Sequence, residues 1–308
     1  MSDDDDRTAS LMTPARLAQL KVRPTPAASP SAWLDQLAAD AGSGHVRRLL
    51  DLRRQLETQV GDPQYAAAGQ ACAELAAALV ELDFSLLAPK GWLARATGKG
   101  KEAAAAFRGQ AARCGRAGDA LAKEVRALQQ RLQAQAPALE RSVVECEVEA
   151  RAIQKIMDQG ARWLQDMRNQ LKARGAEGGD AAALEKIEED TRRCELLVER
   201  LKRLRTADAA AVKMVEHCKA AAPRRAALAA SLQQLDAGWK EASRQLDALA
   251  ELAGTPPDAA KLDAARQGLR RLGEALGQGA ADANALQSQD QALGHELAAL
   301  QEPLQAAA

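Results

Sequence analysis

Large aromatic side chains are nearly missing from this chain of 308 residues: two Phe, one Tyr and four Trp, 2% in all. A compact globule of that length would bury more large side chains, so the composition predicts long, thin helical bundles rather than a thick core. β-Branched residues are sparse and scattered, which excludes a sheet. An excess of one charge is also missing, with 42 basic and 42 acidic residues and a net charge of zero. A dedicated nucleic-acid protein would carry a basic excess. Three histidines are too few to propose a Ser-His-Asp arrangement. Cysteines occur at 72, 114, 146, 194 and 218, an odd number with no CxxC pair. Unpaired thiols of this kind suit the cytosol. No stretch approaches the 18 or so uninterrupted apolar residues of a membrane span. The start, Met1-Ser2-Asp3-Asp4-Asp5-Asp6, lacks the basic end and apolar run of a secretory signal. A soluble, cytoplasmic protein is the expectation.

What the chain does have is alanine, leucine and the long charged residues that favour helix. From Leu121 the apolar positions run Val125, Leu128, Leu132, Leu139, Val143, Cys146, Ile153, Met157, Leu164, Met167 and Leu171. Past the cluster Gly175, Gly178 and Gly179 a second series follows: Leu184, Ile187, Cys194, Val198, Leu201, Leu204, Val212 and Val215. Alternating steps of three and four specify helices with a narrow buried seam. The glycine cluster between the two series predicts an antiparallel hairpin, with Leu164 near Ile187 or Thr191. Cys146 and Cys194 fall in the seam, where a thiol acts as a small hydrophobe.

The fold class that follows is all-α, an elongated antiparallel helical bundle or coiled coil with a shorter N-terminal helical region. Residues 1–44, acidic and then proline-rich, read as mostly disordered. Residues 45–88 read as short helices. The first runs from His45 to Val60, and the second from an Asp62 cap with Pro63 at the first position to near Leu87. Residues 89–308 read as the long bundle, with helices from Lys101 to Arg174 and from Asp180 to Ala253. A last helix is capped by Asp258 and carries leucines as far as Leu304. Pro137 and Pro223 predict a kink or break in the two long helices, because proline lacks the N–H and clashes with the preceding turn.

Motifs with chemical content fail on spacing. Gly91 to Lys99 has the wrong interval for a phosphate-binding loop, Gly100 where Ser or Thr is needed, and no strand before it. His295-Glu296-Leu297-Ala298-Ala299 begins like a zincin helix, but Ala299 stands where the second histidine must be. Neither His45 nor His217 has a glutamate three residues earlier, as a di-iron helix requires. His217 and Cys218 point about 100° apart on a helix and read as a surface histidine beside a small core residue. Most carboxylates face basic residues at helical spacing, as Glu185 and Glu189 face Arg192 and Arg193, which is a solvated face. No catalytic residue, cofactor or metal ligand is predicted, and the chain reads as a non-enzyme.

One stretch concentrates positive charge, aromatics and a helix break. It runs from Lys90 to Arg116, with Trp92 and Phe107 inside it and Glu102 as its only acid. The candidate contact surface is Lys90, Trp92, Arg95, Lys99, Lys101 and Arg108. Its occupant could be an acidic protein partner or an anionic surface. It could equally be a junction in which Trp92 and Leu93 plug the space between helices while the charges stay wet.

Two segments resemble the toxic-anion (tellurite) resistance family, the TelA-like proteins. The first is Leu82-Asp83 through Pro89-Lys90-Gly91-Trp92-Leu93-Ala94-Arg95 to Thr97-Gly98-Lys99. There the family places a leucine-rich helix end, a basic Gly/Trp turn and then a long helix. The second is Glu199-Arg200-Leu201-Lys202-Arg203-Leu204 onward to Leu235 and Gly238-Trp239-Lys240, similar to the family's long helix ending in a tryptophan-lysine pair. Order and spacing agree over roughly residues 75 to 250. The family's polar extension rich in Asn and Gln is not evident, and residues 255–308 carry a degenerate leucine repeat instead, as in a divergent or shortened relative. The resemblance implies a cytoplasmic α-helical protein linked to tellurite and stress resistance, with no catalytic residue to carry over. The alternatives are a coiled-coil scaffold or envelope-associated adaptor, and a peripheral membrane binder working through residues 90–116. The partner would be a protein, with a homo-oligomer also open and nucleic acid not expected.

Overall fold

The computed structural model describes residues 40–60, 65–87, 99–251 and 258–308, and within these it is all α-helical with no strand. The helices are α1 (Ser43–Val60), α2 (Ala66–Val80), α3 (Lys99–Glu177), α4 (Ala181–Glu251), α5 (Ala259–Ala299) and α6 (Gln301–Ala307), with a 3₁₀ turn at Phe84–Leu87. The described residues form two compact units. The larger comprises 44–151 and 207–306; the smaller is built on 152–206.

In the larger unit α1 buries Val46, Leu49, Leu52 and Leu56 completely, the spacing that puts one apolar stripe on one face. Helix α2 is almost entirely small and apolar, and it packs against α5. The approach is close because the contact is built from small residues. A Cβ on Gly69 would lie 3.0 Å from that of Ala283, and one on Gly279 would lie 3.7 Å from Cys72 Sγ of α2 and 2.6 Å from a Leu235 methyl of α4. Phe84 and Phe107 meet with ring centroids 5.9 Å apart and planes tilted by 58°, within the separation at which aromatic rings attract. The core continues through Leu121, Val125 and Leu128 of α3 and Leu228, Leu232, Leu235 and Trp239 of α4. Trp239 lies directly over Gly118, where a Cβ would fall 1.7 Å from the indole Nε1. Only glycine leaves room for the ring.

Helix α2 stops earlier than its apolar pattern predicts. Beyond Val80 the Asp83 carboxylate accepts from the Ser85 N–H at 2.9 Å, and the Asp83 N–H donates to Gln110 Oε1. A short acidic side chain that bonds the backbone two residues on competes with the helix and turns the chain. The expected cap at Asp62 and Pro63 lies outside the described residues. The Asp258 cap is present, accepting from the Ala260 N–H at 3.0 Å. The terminal leucine repeat divides at Leu300, because Pro303 has no N–H to offer Ala299.

The smaller unit contains the predicted hairpin. Gly178 turns the chain at φ +66°, and Asp180 caps α4 by accepting from the Ala183 N–H at 2.9 Å. Gly175 stays inside α3. Leu164, Cys194 and Leu197 form the buried seam, flanked by Trp163, Met167, Leu171, Val198 and Leu201. Leu164 thus shares its cluster with residues about a turn deeper in α4 than the pairing with Ile187 or Thr191. Arg174 and Asp190 close the tip with a 2.7 Å ion pair.

Two expectations need correction. Leu184 is 53% and Val212 39% exposed, so neither belongs to the seam. Leu197 occupies it instead, and further along α4 Ala207, Ala211 and Met214 are the buried positions, because a straight helix drifts off a strict seven-residue repeat. Pro137 and Pro223 break neither helix. Both are exposed and stand among alanines, where strong helix formers carry the chain past one missing hydrogen bond.

Candidate contact surfaces and buried polar sites

Of the predicted contact surface, Lys90, Trp92 and Arg95 lie outside the described residues, and Lys99 opens α3. Lys101 is exposed. Arg108 is not a free cation: its Nε donates to the Ala250 carbonyl in the last turn of α4 at 3.2 Å, as basic side chains near a helix C-terminus do. Arg113 pairs with Glu81 at 3.1 Å. Phe107 of the stretch and Phe84 just before it are buried in the core, and Arg266 stands 5.5 Å above the Phe84 ring. The structure therefore brings Arg108 and Arg113 to helix–helix ties and leaves Lys101 in solvent.

Sequence reasoning missed the buried charges. Arg53, 2% exposed, donates to the Leu297 carbonyl and to Gln301 at 3.2 Å each, and pairs with Glu57 at 2.6 Å. Asp290, 4% exposed, accepts through one oxygen from the Tyr65 hydroxyl at 3.1 Å and from Arg225 Nε at 3.0 Å. Three helical elements, the α2 entry, α4 and α5, are joined at that carboxylate. Burial pushes the Tyr65 phenol well above its ordinary range, with the Asp290 charge adding to it. In the smaller unit Arg200 is buried, and among the described residues its hydrogen bonds go to no carboxylate. It donates to the Ala41 carbonyl at 2.9 Å, the Ala307 carbonyl at 2.6 Å and Ser43 Oγ at 3.2 Å. Desolvation lowers its pKa. Each of these charges was visible as a charge in the leucine phase: Arg53 between Leu49 and Leu56, Arg200 between Leu197 and Leu204, Asp290 between Leu286 and Leu293.

Two histidines also bridge helices. His45 Nδ1 lies 2.6 Å from Glu149 and His217 Nδ1 lies 2.5 Å from Glu296; Arg48 reaches Glu145 alongside the first. His217 is thus half exposed and engaged rather than merely solvated. Among the described residues no group of three or more His, Cys, Asp or Glu could hold a metal ion. All five thiols are free and buried. Desolvation raises Cys72, Cys114 and Cys218 to about 11 and Cys146 to about 12, the reverse of the electropositive, accessible setting of a reactive cysteine.

The surface concavities are open grooves between helices. One, of about 530 Å³, is lined by Leu79, Val80, Phe84, Arg266 and Leu269 between α2 and α5. Another, of about 670 Å³, runs along the hairpin beside Leu171, Arg192, Cys194, Leu196 and Glu199. These are surfaces for a helix or an extended segment rather than enclosed small-molecule sites. No helix among the described residues is long and apolar enough to cross a membrane. The fold and these sites define an all-α helical bundle protein held by buried polar ties. Compared with family models, curated proteins and solved structures, the chain matches none.

Proposed function

We propose that this chain is a non-enzymatic, cytoplasmic contact protein that acts in resistance to tellurite or related stress by presenting helix faces to a protein partner. The observation that carries the contact reading is the division of polar and apolar groups. Buried Arg53, Arg200 and Asp290 are committed to holding helices together, while Val80, Val144, Val148 and Leu196 are more than half exposed on helix faces. Apolar side chains left on charged helices are what a docking helix covers. The stress role rests on the resemblance of the two segments between Leu82 and Lys240. A lipid surface is a poorer occupant of the basic stretch, since Arg108 and Arg113 already have protein partners.

The test is growth on tellurite of a strain lacking this chain, complemented by wild type or by Arg95→Ser/Lys99→Ser/Lys101→Ser. Loss of tolerance on deletion, rescue by wild type and failure of the triple variant at unchanged helicity are the expected results. Unaltered tolerance on deletion overturns the stress role. Full rescue by the triple variant moves the contact away from that stretch.

A further inference from the structure

The α4 side of the hairpin carries a second ordered face, turned away from the seam. Leu197 is 1% exposed inside the seam, whereas its neighbour Leu196 is 55% exposed. Helical spacing places Glu189 and Arg192 two turns and one turn before Leu196, and Glu199 and Arg203 one turn and two turns after it. All four are exposed. In order the face reads acid, base, leucine, acid, base.

That order is its own complement when reversed. In a second copy running antiparallel, related by a two-fold axis at Leu196, Arg192 stands opposite Glu199 and Glu189 opposite Arg203. Leu196 meets itself, and the axis makes each ion pair occur twice. A parallel copy in register would set like charge on like charge. An isologous contact requires a patch of this kind. Among the described residues Glu189 and Glu199 pair along their own helix, with Arg193 at 2.6 Å and Lys202 at 2.7 Å, and such exposed pairs exchange readily.

We propose that the face Glu189–Arg192–Leu196–Glu199–Arg203 pairs with the same face of a second copy of this chain, forming an antiparallel dimer through α4. The inference names a partner for the contact reading and rests on it. The contact is small, with one leucine at its centre, so the dimer is weak, concentration-dependent and loosened by salt.

Sedimentation equilibrium of the full chain, over a concentration series at low and high salt, is the experiment. Wild type should show a monomer–dimer equilibrium that shifts toward monomer in salt. Leu196→Glu should abolish the dimer. Arg192→Glu should weaken it roughly ten-fold, because the axis doubles each lost or repulsive pair. The double reversal Arg192→Glu/Glu199→Arg should recover most of that loss, since the swapped charges again face each other. Far-UV circular dichroism checks that every variant keeps its helix. A wild type monomeric at about 1 mM overturns the proposal. So does a double reversal no tighter than the single one, or a dimer indifferent to Leu196→Glu. Self-pairing would then fall while the tellurite phenotype, read separately in cells, still decides the contact reading.

Discussion

Arg200 is a buried guanidinium whose hydrogen bonds go to two carbonyls and a hydroxyl, and what it ties together shows its role. Its three acceptors come from two segments far apart in sequence, the Ala41 carbonyl and Ser43 hydroxyl on one side and the Ala307 carbonyl at the end of α6 on the other. Arg200→Met would fill the space but leave those acceptors unpaired. Each such buried group costs about 1–3 kcal/mol, so a loss of at least about 3 kcal/mol is expected in chemical denaturation. Arg200→Lys, with one compact ammonium and no planar fork, should recover only part of it. The glycine at 118 makes the opposite point, that an absent side chain can matter as much. The Trp239 ring fills the space a methyl group would need, so Gly118→Ala must displace either the indole or a helix. Helix propensity alone favours the alanine by about 1 kcal/mol. A net destabilisation of about 1–3 kcal/mol is expected from overpacking; a stabilised variant would mean that the ring moves aside freely.

At the scale of elements, the hairpin was legible because two signals coincided: apolar steps of three and four on both sides, and glycines between them. Its register was not, since alanine, leucine and cysteine at neighbouring heptad positions leave the stripe broad enough to be covered from either flank. The structure uses the flank containing Leu197 and leaves Leu184 and Leu196 in solvent. The helix ends followed from side-chain chemistry more than periodicity, as Asp83 turning α2 and Pro303 dividing the last leucine run both show. Of the candidate contact residues, Arg108 was misjudged because its partner is the Ala250 carbonyl, 142 positions away, and such distances leave no local trace. The seam is thin, so single truncations should be felt locally. Leu197→Ala removes a side chain that is 1% exposed and should cost about 2–4 kcal/mol by cavity formation. Hydrogen exchange should locate that loss mainly in residues 152–206, the compact unit that Leu197 belongs to. Equal acceleration in residues 65–87 and 258–299 would show that the two units open as one.

For the molecule as a whole, the five buried thiols make stability a function of alkaline pH. A thiol in water titrates near 9.0, whereas burial holds Cys72, Cys114 and Cys218 at about 11 and Cys146 at about 12 in the fold. The folded state therefore binds these protons more tightly than the unfolded chain does. Their stabilising contribution is complete below the unfolded pKa and is lost as pH rises from about 9 through 11 to 12. By about pH 10.5 each of these four thiols accounts for a loss on the order of 2 kcal/mol, and Cys194, also raised by burial, acts in the same direction. Tyr65, also raised by burial, acts in the same direction beyond its ordinary range. Urea midpoints at about pH 8 and about pH 10.5 should fall steeply for wild type and less steeply for Cys146→Ala. The small cavity left by that substitution lowers both midpoints and leaves the slope to the proton. The same burial makes Cys146 and Cys194 slow toward a bulky maleimide in the native state, with labelling that tracks unfolding. Rapid labelling at neutral pH together with an unchanged alkaline slope in Cys146→Ala would remove the thiols from the core and give them a chemical role instead.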